Sequence, residues 1–189
     1  MRRAAIFLTF LLPLLCVGHA RAQRCLPGMT GIELRAGAVD GIHTPMDFYA
    51  GAAMMIYNRH ADRWVIGVEY LTKHYAYEKV EIPKVQISAE GGYYLTVMSD
   101  PAKIFHLSIG GSALAGYETS NWNKKRLYDG ATLRNKDAFI YGGAVTLELE
   151  AYLSDRFILS LHARERCLWG SSIGHFHFQF GAGIKFIIN

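Results

Sequence analysis

Alternation with a period of two runs along almost the whole chain, and it limits the possible folds more than any other feature. A strand sends successive side chains to opposite faces, so residues i, i+2 and i+4 share a face. In residues 103–119, Phe105, Leu107, Ile109, Ala113, Ala115 and Tyr117 share one face, and His106, Ser108, Gly110, Ser112, Gly116 and Glu118 the other. Residues 138–153 set Phe139, Tyr141, Val145, Leu147, Leu149 and Leu153 against Thr146, Glu148 and Glu150. Residues 176–188 set Phe176, Phe178, Phe180, Ala182, Ile184, Phe186 and Ile188 against His177, Gln179, Gly181, Gly183 and Lys185. No stretch keeps an i, i+3, i+4 apolar pattern for three turns without a Gly or β-branched interruption, which argues against a helical bundle.

Eight segments carry strand patterning: 30–39, 48–58, 63–75, 80–99, 103–119, 138–153, 156–168 and 176–188. They are longer than the five or six residues usual in soluble sheets. The connections alternate. Tight turns are expected at Asn58 to Asp62, at Ser99-Asp100-Pro101 and at Ser154-Asp155, and longer loops at Gly41 to Asp47, Tyr75 to Lys79, Ser120 to Asp137 and Gly170 to His175. An even strand number, alternating segments of about ten residues, and short turns at one end only are the pattern of an outer-membrane barrel. The sequence therefore predicts an all-β, eight-stranded antiparallel up-and-down barrel of outer-membrane type. A soluble lipocalin-like carrier of a small ligand shares the strand count. The aromatic, almost charge-free apolar faces and the Gly- and Ser-rich polar faces favour the membrane barrel.

The N-terminus reads as an export signal. Met1-Arg2-Arg3 is basic, Ala4 to Val17 is apolar apart from Thr9 and Pro13, and Ala20-Arg21-Ala22 offers small residues where a signal peptidase cuts. Residues 1–22 are expected to be removed, leaving 23–189 as one barrel domain. That removal takes Arg2, Arg3 and Arg21 and no acid, so the formal +4 of the full chain falls to +1. Most of the basic character that would hint at nucleic acid therefore leaves with the signal. Cys25 and Cys167 remain. Cys25 precedes the first strand at the turn end and Cys167 is near the loop end, about 25 Å apart across the apolar band. A disulfide needs Cα atoms within about 7 Å, so the two are expected to stay unpaired within one barrel.

With the apolar face toward lipid, the lumen receives Glu33, Arg35, Glu69, Lys73, Glu90, Glu118, Glu148, Glu150, His162, Arg164, Arg166 and Lys185, with Gln86 and Gln179. Acids and bases nearly balance. Glu148, Glu150, His162, Arg164 and Arg166 are expected on one face of a single hairpin, close enough for cross-strand ion pairs. A structural charge network is the favoured reading, because unpaired buried charge is costly and an eight-stranded barrel leaves room for little but side chains. A proton or solute path is the functional alternative.

Candidate chemistry is thin, and no enzyme activity, cofactor or metal site is expected. His106-Leu107-Ser108 has the His-x-Ser spacing of outer-membrane lipid A deacylases, but it lies beside a tight turn and faces inward, away from lipid. His175 and His177 share a strand face as half of a metal site, without a third ligand nearby. Gly110-Gly111 and Gly142-Gly143 sit within strands, and no helix follows them to cradle a phosphate. The longest loop holds Lys124, Lys125, Arg126, Arg134 and Lys136, with Trp122 and Tyr128 as aromatic anchors. It is the candidate surface for partner contact. Outer-membrane lipids are the other expected partner, and direct DNA binding is not.

The segments GMTGIELRAGAVDG (28–41), IPKVQISAEGGYY (82–94), SIGGSALAGYETSNW (108–122), YDGATLRNKDAFIYGGAVTLELE (128–150) and GHFHFQFGAGIKFIIN (174–189) resemble the conjugative-transposon TraO proteins of Bacteroides-type bacteria. The likeness spans essentially the whole mature chain. It implies a component or accessory of the envelope-spanning apparatus that moves an integrative element between cells, in contact with other conjugal transfer proteins. It transfers no catalytic residue. Many outer-membrane barrels end on an aromatic residue, whereas here Phe186 is followed by Ile187-Ile188-Asn189.

Overall fold

The computed structural model describes residues 27–41, 47–77, 80–120, 138–171 and 174–189, leaving aside the side chains of 75–77, 80–83 and 120. Eight strands follow one another in chain order: β1 (Thr30–Val39), β2 (Phe48–Tyr57), β3 (Arg63–Tyr77), β4 (Val80–Ser99), β5 (Phe105–Ser120), β6 (Ala138–Tyr152), β7 (Phe157–Trp169) and β8 (Phe176–Ile187). Each pairs antiparallel with its neighbour, and β8 pairs with β1 to close the barrel. The expected eight-stranded up-and-down barrel is the one observed.

Alternation becomes a division between outside and inside. Phe176, Phe178, Phe180, Ile184 and Phe186 are exposed on the outer surface, while His177, Gln179 and Lys185 between them are buried. The same inversion holds on β6 and β7, where Glu148, Glu150, Arg164 and Arg166 are buried and Leu147, Val145 and Leu161 are exposed. A water-soluble barrel has the opposite polarity, so this surface is built for an apolar surrounding.

The turn end is closed by a short 3-10 turn at Arg59–Ala61, by the Asp100–Phe105 connection, where Asp100 N–H donates to the Phe105 carbonyl at 3.0 Å, and by Ser154, whose Oγ accepts from Phe157 N–H at 3.1 Å. Pairing slips by one residue between Thr96 and Met98 of β4, leaving Val97 and Met98 both exposed, as a bulge does. At the loop end one connection is shorter than expected. β3 and β4 stay paired out to Tyr77 and Val80, leaving only 78–79 between them, because Tyr75, Tyr77, Val80 and Ile82 are strong strand formers that extend the ladder. Residues 1–26 lie outside the described part, and with them the expected export signal and Cys25. Cys167 is a half-buried free thiol near the loop end of β7.

Inward glycines make room for inward aromatics. A Cβ on Gly110 would stand 2.6 Å from the Tyr94 ring, its cross-strand partner. Tyr94 thus lies flat across the bore instead of being pushed out of it.

Candidate functional site

The inward residues named from alternation are all charged or polar. The bore itself is layered. At the turn end the inward positions are apolar and aromatic: Ala53, Met55, Tyr57, Val65, Tyr94, Tyr152, Ile158 and Ile187 form one buried cluster. Its members come from six strands, so the cluster is a floor across the barrel. His106 lies on this floor, its ring 4.9 Å from that of Tyr152.

Directly above is a charge cluster that the sequence reading had only in part. Arg63, on the inward parity of Glu69, is fully buried and stacks over Tyr57 and Tyr94 with its guanidinium carbon 5.9 and 5.1 Å from their ring centres. It donates to Glu148 at 2.6 Å and to Glu150 at 3.3 Å. Lys185 of β8 donates to Glu150 at 2.7 Å and also to Glu148, and lies 3.8 Å from Glu33. Glu33 accepts in addition from the Ser160 hydroxyl at 3.0 Å. Two bases therefore face three acids in this layer.

The next layer reverses the balance. Glu69 takes Arg35 and Arg164 at 3.2 Å each and Arg166 at 3.0 Å, while Gln179 donates to it at 2.8 Å. Glu90 takes Arg35 at 2.5 Å and approaches Arg164 at 2.8 Å. Three bases face two acids, so across both layers five positive groups meet five negative ones. Tyr94 joins the layers: its ring carries Arg63, and its hydroxyl accepts from Arg164 at 2.9 Å and donates to Thr146 at 3.3 Å. His162 sits between them, hydrogen-bonded to the Tyr49 hydroxyl.

The expected pairing within the β6–β7 hairpin does not occur. Glu148 stands opposite His162, and the five residues do share the inner face. However, Glu148 and Glu150 pair with β3 and β8, while Arg164 and Arg166 pair with β3 and β4. Strands β3 and β7 are four apart in either direction, so the bridges from Glu69 to Arg164 and Arg166 cross the full bore, while the others span two or three strands. Long side chains in so narrow a barrel meet the opposite wall more readily than they bend back on a neighbouring strand.

At the loop end, Lys73 donates to Asp40 at 2.5 Å, and the buried His177 bonds the same carboxyl oxygen at 3.1 Å. Phe178 N–H donates to the other oxygen at 2.9 Å. Burial pushes the Asp40 carboxyl up, but the hydrogen bonds from Lys73, His177 and Phe178 outweigh this and hold it below the ordinary carboxyl range. Glu118 accepts from Gln86 at 2.9 Å and from Ser171 at 2.8 Å.

The other candidates are placed as follows. Ser108 is buried and lies within 3.4 Å of Arg63 and 3.3 Å of Thr96, while His106 packs on Tyr152, so both serve the floor and face away from the apolar exterior. His175 bonds the Leu168 carbonyl and His177 bonds Asp40, so the two imidazoles turn to different partners. Among the described residues no group of three metal-ligating side chains converges. Trp122, Lys124, Lys125, Arg126, Tyr128, Arg134 and Lys136 lie outside the described residues. Arg63, Tyr49 and Tyr94 are among the inward residues sequence reasoning missed, along with the floor residues Met55, Tyr57, Tyr152 and Ile158; parity with Glu69, Gly51 and Glu90 on their strands would have found the first three.

Charged inside, apolar outside and closed by eight strands, this is a β-barrel of the outer-membrane type. Its backbone is similar to that of neisserial surface protein A (TM-score 0.56, 10% identity, covering 84% of this chain and 97% of that one). It is also similar to Ail, the attachment invasion locus protein of Yersinia pestis (TM-score 0.51, 9% identity, covering 85% and 100%). No curated protein matches the chain. The chain belongs to the family of conjugative transposon proteins TraO, whose family model matches residues 26–188.

Proposed function

We propose that this chain is a non-enzymatic outer-membrane component of the apparatus that transfers a conjugative transposon, acting as a scaffold or accessory and not as the conduit. Family membership supplies the process. The observation that carries the mechanism is the filled bore: ion pairs from opposite walls cross it in two layers above an aromatic floor, leaving no room for a nucleic acid strand. In this reading residues 1–22 direct export and are cleaved. The short turns then face the periplasm, and the loops, including 121–137 with its basic and aromatic residues, face outward. Contacts with other transfer proteins are made by these exposed segments or by the barrel wall, and direct DNA binding has no part. Buried ion pairs hold the lumen rigid, and His106 and Ser108 contribute packing.

Fractionation and gel mobility test this reading. Detergent-extracted outer membranes are expected to yield a band whose migration changes on heating, and deletion of the gene is expected to reduce transfer frequency. Recovery from the soluble periplasmic fraction would refute the membrane assignment. Lipid A from cells with and without the protein is expected to have the same mass spectrum, and a change lost in Ser108→Ala would restore an enzymatic reading.

A further inference from the structure

Among the described outward-facing strand positions between the aromatic levels at the two ends, one charged side chain occurs: Glu165 of β7, and it is exposed. Its parity places it with Leu161, Ala163, Cys167 and Trp169 on the outside, while Arg164 and Arg166 on either side point into the bore. Its cross-strand neighbours are Val145 and Phe178. Above it, Phe139, Tyr141 and Trp169 stack as a ladder with ring centres 6.3 Å apart, marking the apolar boundary at the loop end. Glu165 is four residues below Trp169, about 10 Å at the usual rise and tilt of barrel strands. No hydrogen bond or ion pair within the described residues reaches it.

On the reading of this exterior as a lipid-facing wall, a carboxylate at this depth is unfavourable, and its side chain is too short to reach the headgroups. We infer that the β5–β7 wall around Glu165 is a lateral docking surface for a membrane-embedded segment of a partner protein that presents a Lys or Arg to this carboxylate. Charge complementarity fixes the occupant. Lipid amines lie at or beyond the aromatic level. A second copy offers no outward base within the band among the described residues, since Arg59, Lys103 and Arg156 all sit at the turn end. The neighbouring wall allows close approach: a Cβ on Gly111 would meet nothing within 4 Å, and one on Gly143 would only touch the Ser112 carbonyl, at 3.3 Å. A partner backbone can therefore lie flat beside the carboxylate.

The test uses the full chain in donor cells carrying the transfer apparatus, with a photoreactive benzophenone amino acid replacing Val145, or replacing Val68 on the opposite wall as a control. Position 145 is expected to give one discrete protein adduct, mapped by mass spectrometry to a membrane-spanning segment containing Lys or Arg, whereas position 68 gives lipid adducts. Glu165→Gln, which keeps the shape, and Glu165→Leu are each expected to cut the protein adduct at least tenfold while heat-modifiable migration persists. If Glu165→Leu fails to insert, Glu165→Gln alone decides. Lipid adducts at both positions overturn the inference and leave the membrane reading intact. An adduct of twice the chain mass, or one undiminished in Glu165→Gln, also overturns it. Soluble protein with no lipid adduct at position 68 removes the membrane reading and this inference together.

Discussion

The two charge layers inside the barrel are built from the same residue types but are supported differently. The layer nearer the turn end rests on an apolar, aromatic floor, and its Arg63 is held from below by two tyrosine rings and from above by two carboxylates. The layer nearer the loop end has two smaller buried apolar clusters beside it, Leu114 with Ile140, Ala144 and Leu168, and Val39 with Tyr49 and Leu71. It centres on Glu69, which accepts from three arginines and a glutamine, while Glu90 takes two of the same arginines. In one layer the acids are in excess and share two bases, and in the other the bases are in excess and all three reach Glu69, two of them reaching Glu90 as well. Neither layer is neutral alone, so each needs the other, and the interior behaves as a single electrostatic unit. A buried charge robbed of its partner is costly, whereas one that keeps a second partner loses less.

That contrast orders the consequences of substitution. Glu69→Gln leaves Arg35, Arg164 and Arg166 with Glu90 as the remaining carboxylate of the layer, and is expected to destabilise the barrel by about 3–5 kcal/mol; the midpoint of urea unfolding in detergent or lipid vesicles, followed by gel mobility, measures it. Arg63→Met is expected to cost less, about 2–3 kcal/mol, since Lys185 still serves Glu148 and Glu150. If it proves as damaging as Glu69→Gln, the asymmetry between the layers is wrong. Combining Arg63→Met with Glu148→Gln tests the pairing itself, and the double variant is expected to be less destabilised than the two single losses added together. Tyr94→Phe keeps the ring under Arg63 but removes the hydroxyl that Arg164 and Thr146 share, for about 1 kcal/mol; a larger loss would show that the two layers are coupled mainly through this one oxygen.

The smallest effect is expected at the loop end. Asp40 is held below its ordinary pKa, so its contribution is fully present above the unfolded carboxyl pKa and is lost as the pH falls through the depressed folded value. Thermal midpoints measured across the acid range are expected to fall for the wild type and to fall less for Asp40→Asn. The neutral range should show no difference in slope between the two.

Much of the barrel was legible because period-two alternation writes the inside and outside of a strand directly into the residue order. The β8 sequence assigns its side chains from Phe176 to Phe186 to faces, and the structure agrees at each of them. The ends of β3 and β4 were less legible, since a run of tyrosines and branched residues reads equally well as loop or as extended ladder. The pairing of lumen charges was not legible at all. Parity tells which face Glu148 and Arg164 occupy, but the partner across the bore depends on the closure of the sheet, which no local pattern encodes. Arg63 was within reach of the same parity rule. Asp40 was not, because it lies past the end of β1 with a positive φ of 53°, in backbone that carries no alternation.

The seam between β1 and β8 bears on how the molecule is made. Gly31 pairs with Ile187, and the Asn189 carbonyl oxygen of the side chain accepts from Thr30 N–H at 3.1 Å. The first strand of the domain therefore has no final partner until the last few residues of the chain are available. Until then both strands present unpaired edges, which in water invite aggregation. Such distant pairing makes closure slow and late. A nascent copy must be kept apart from its neighbours until β8 is in place, and loss of that strand would leave an open sheet with two raw borders.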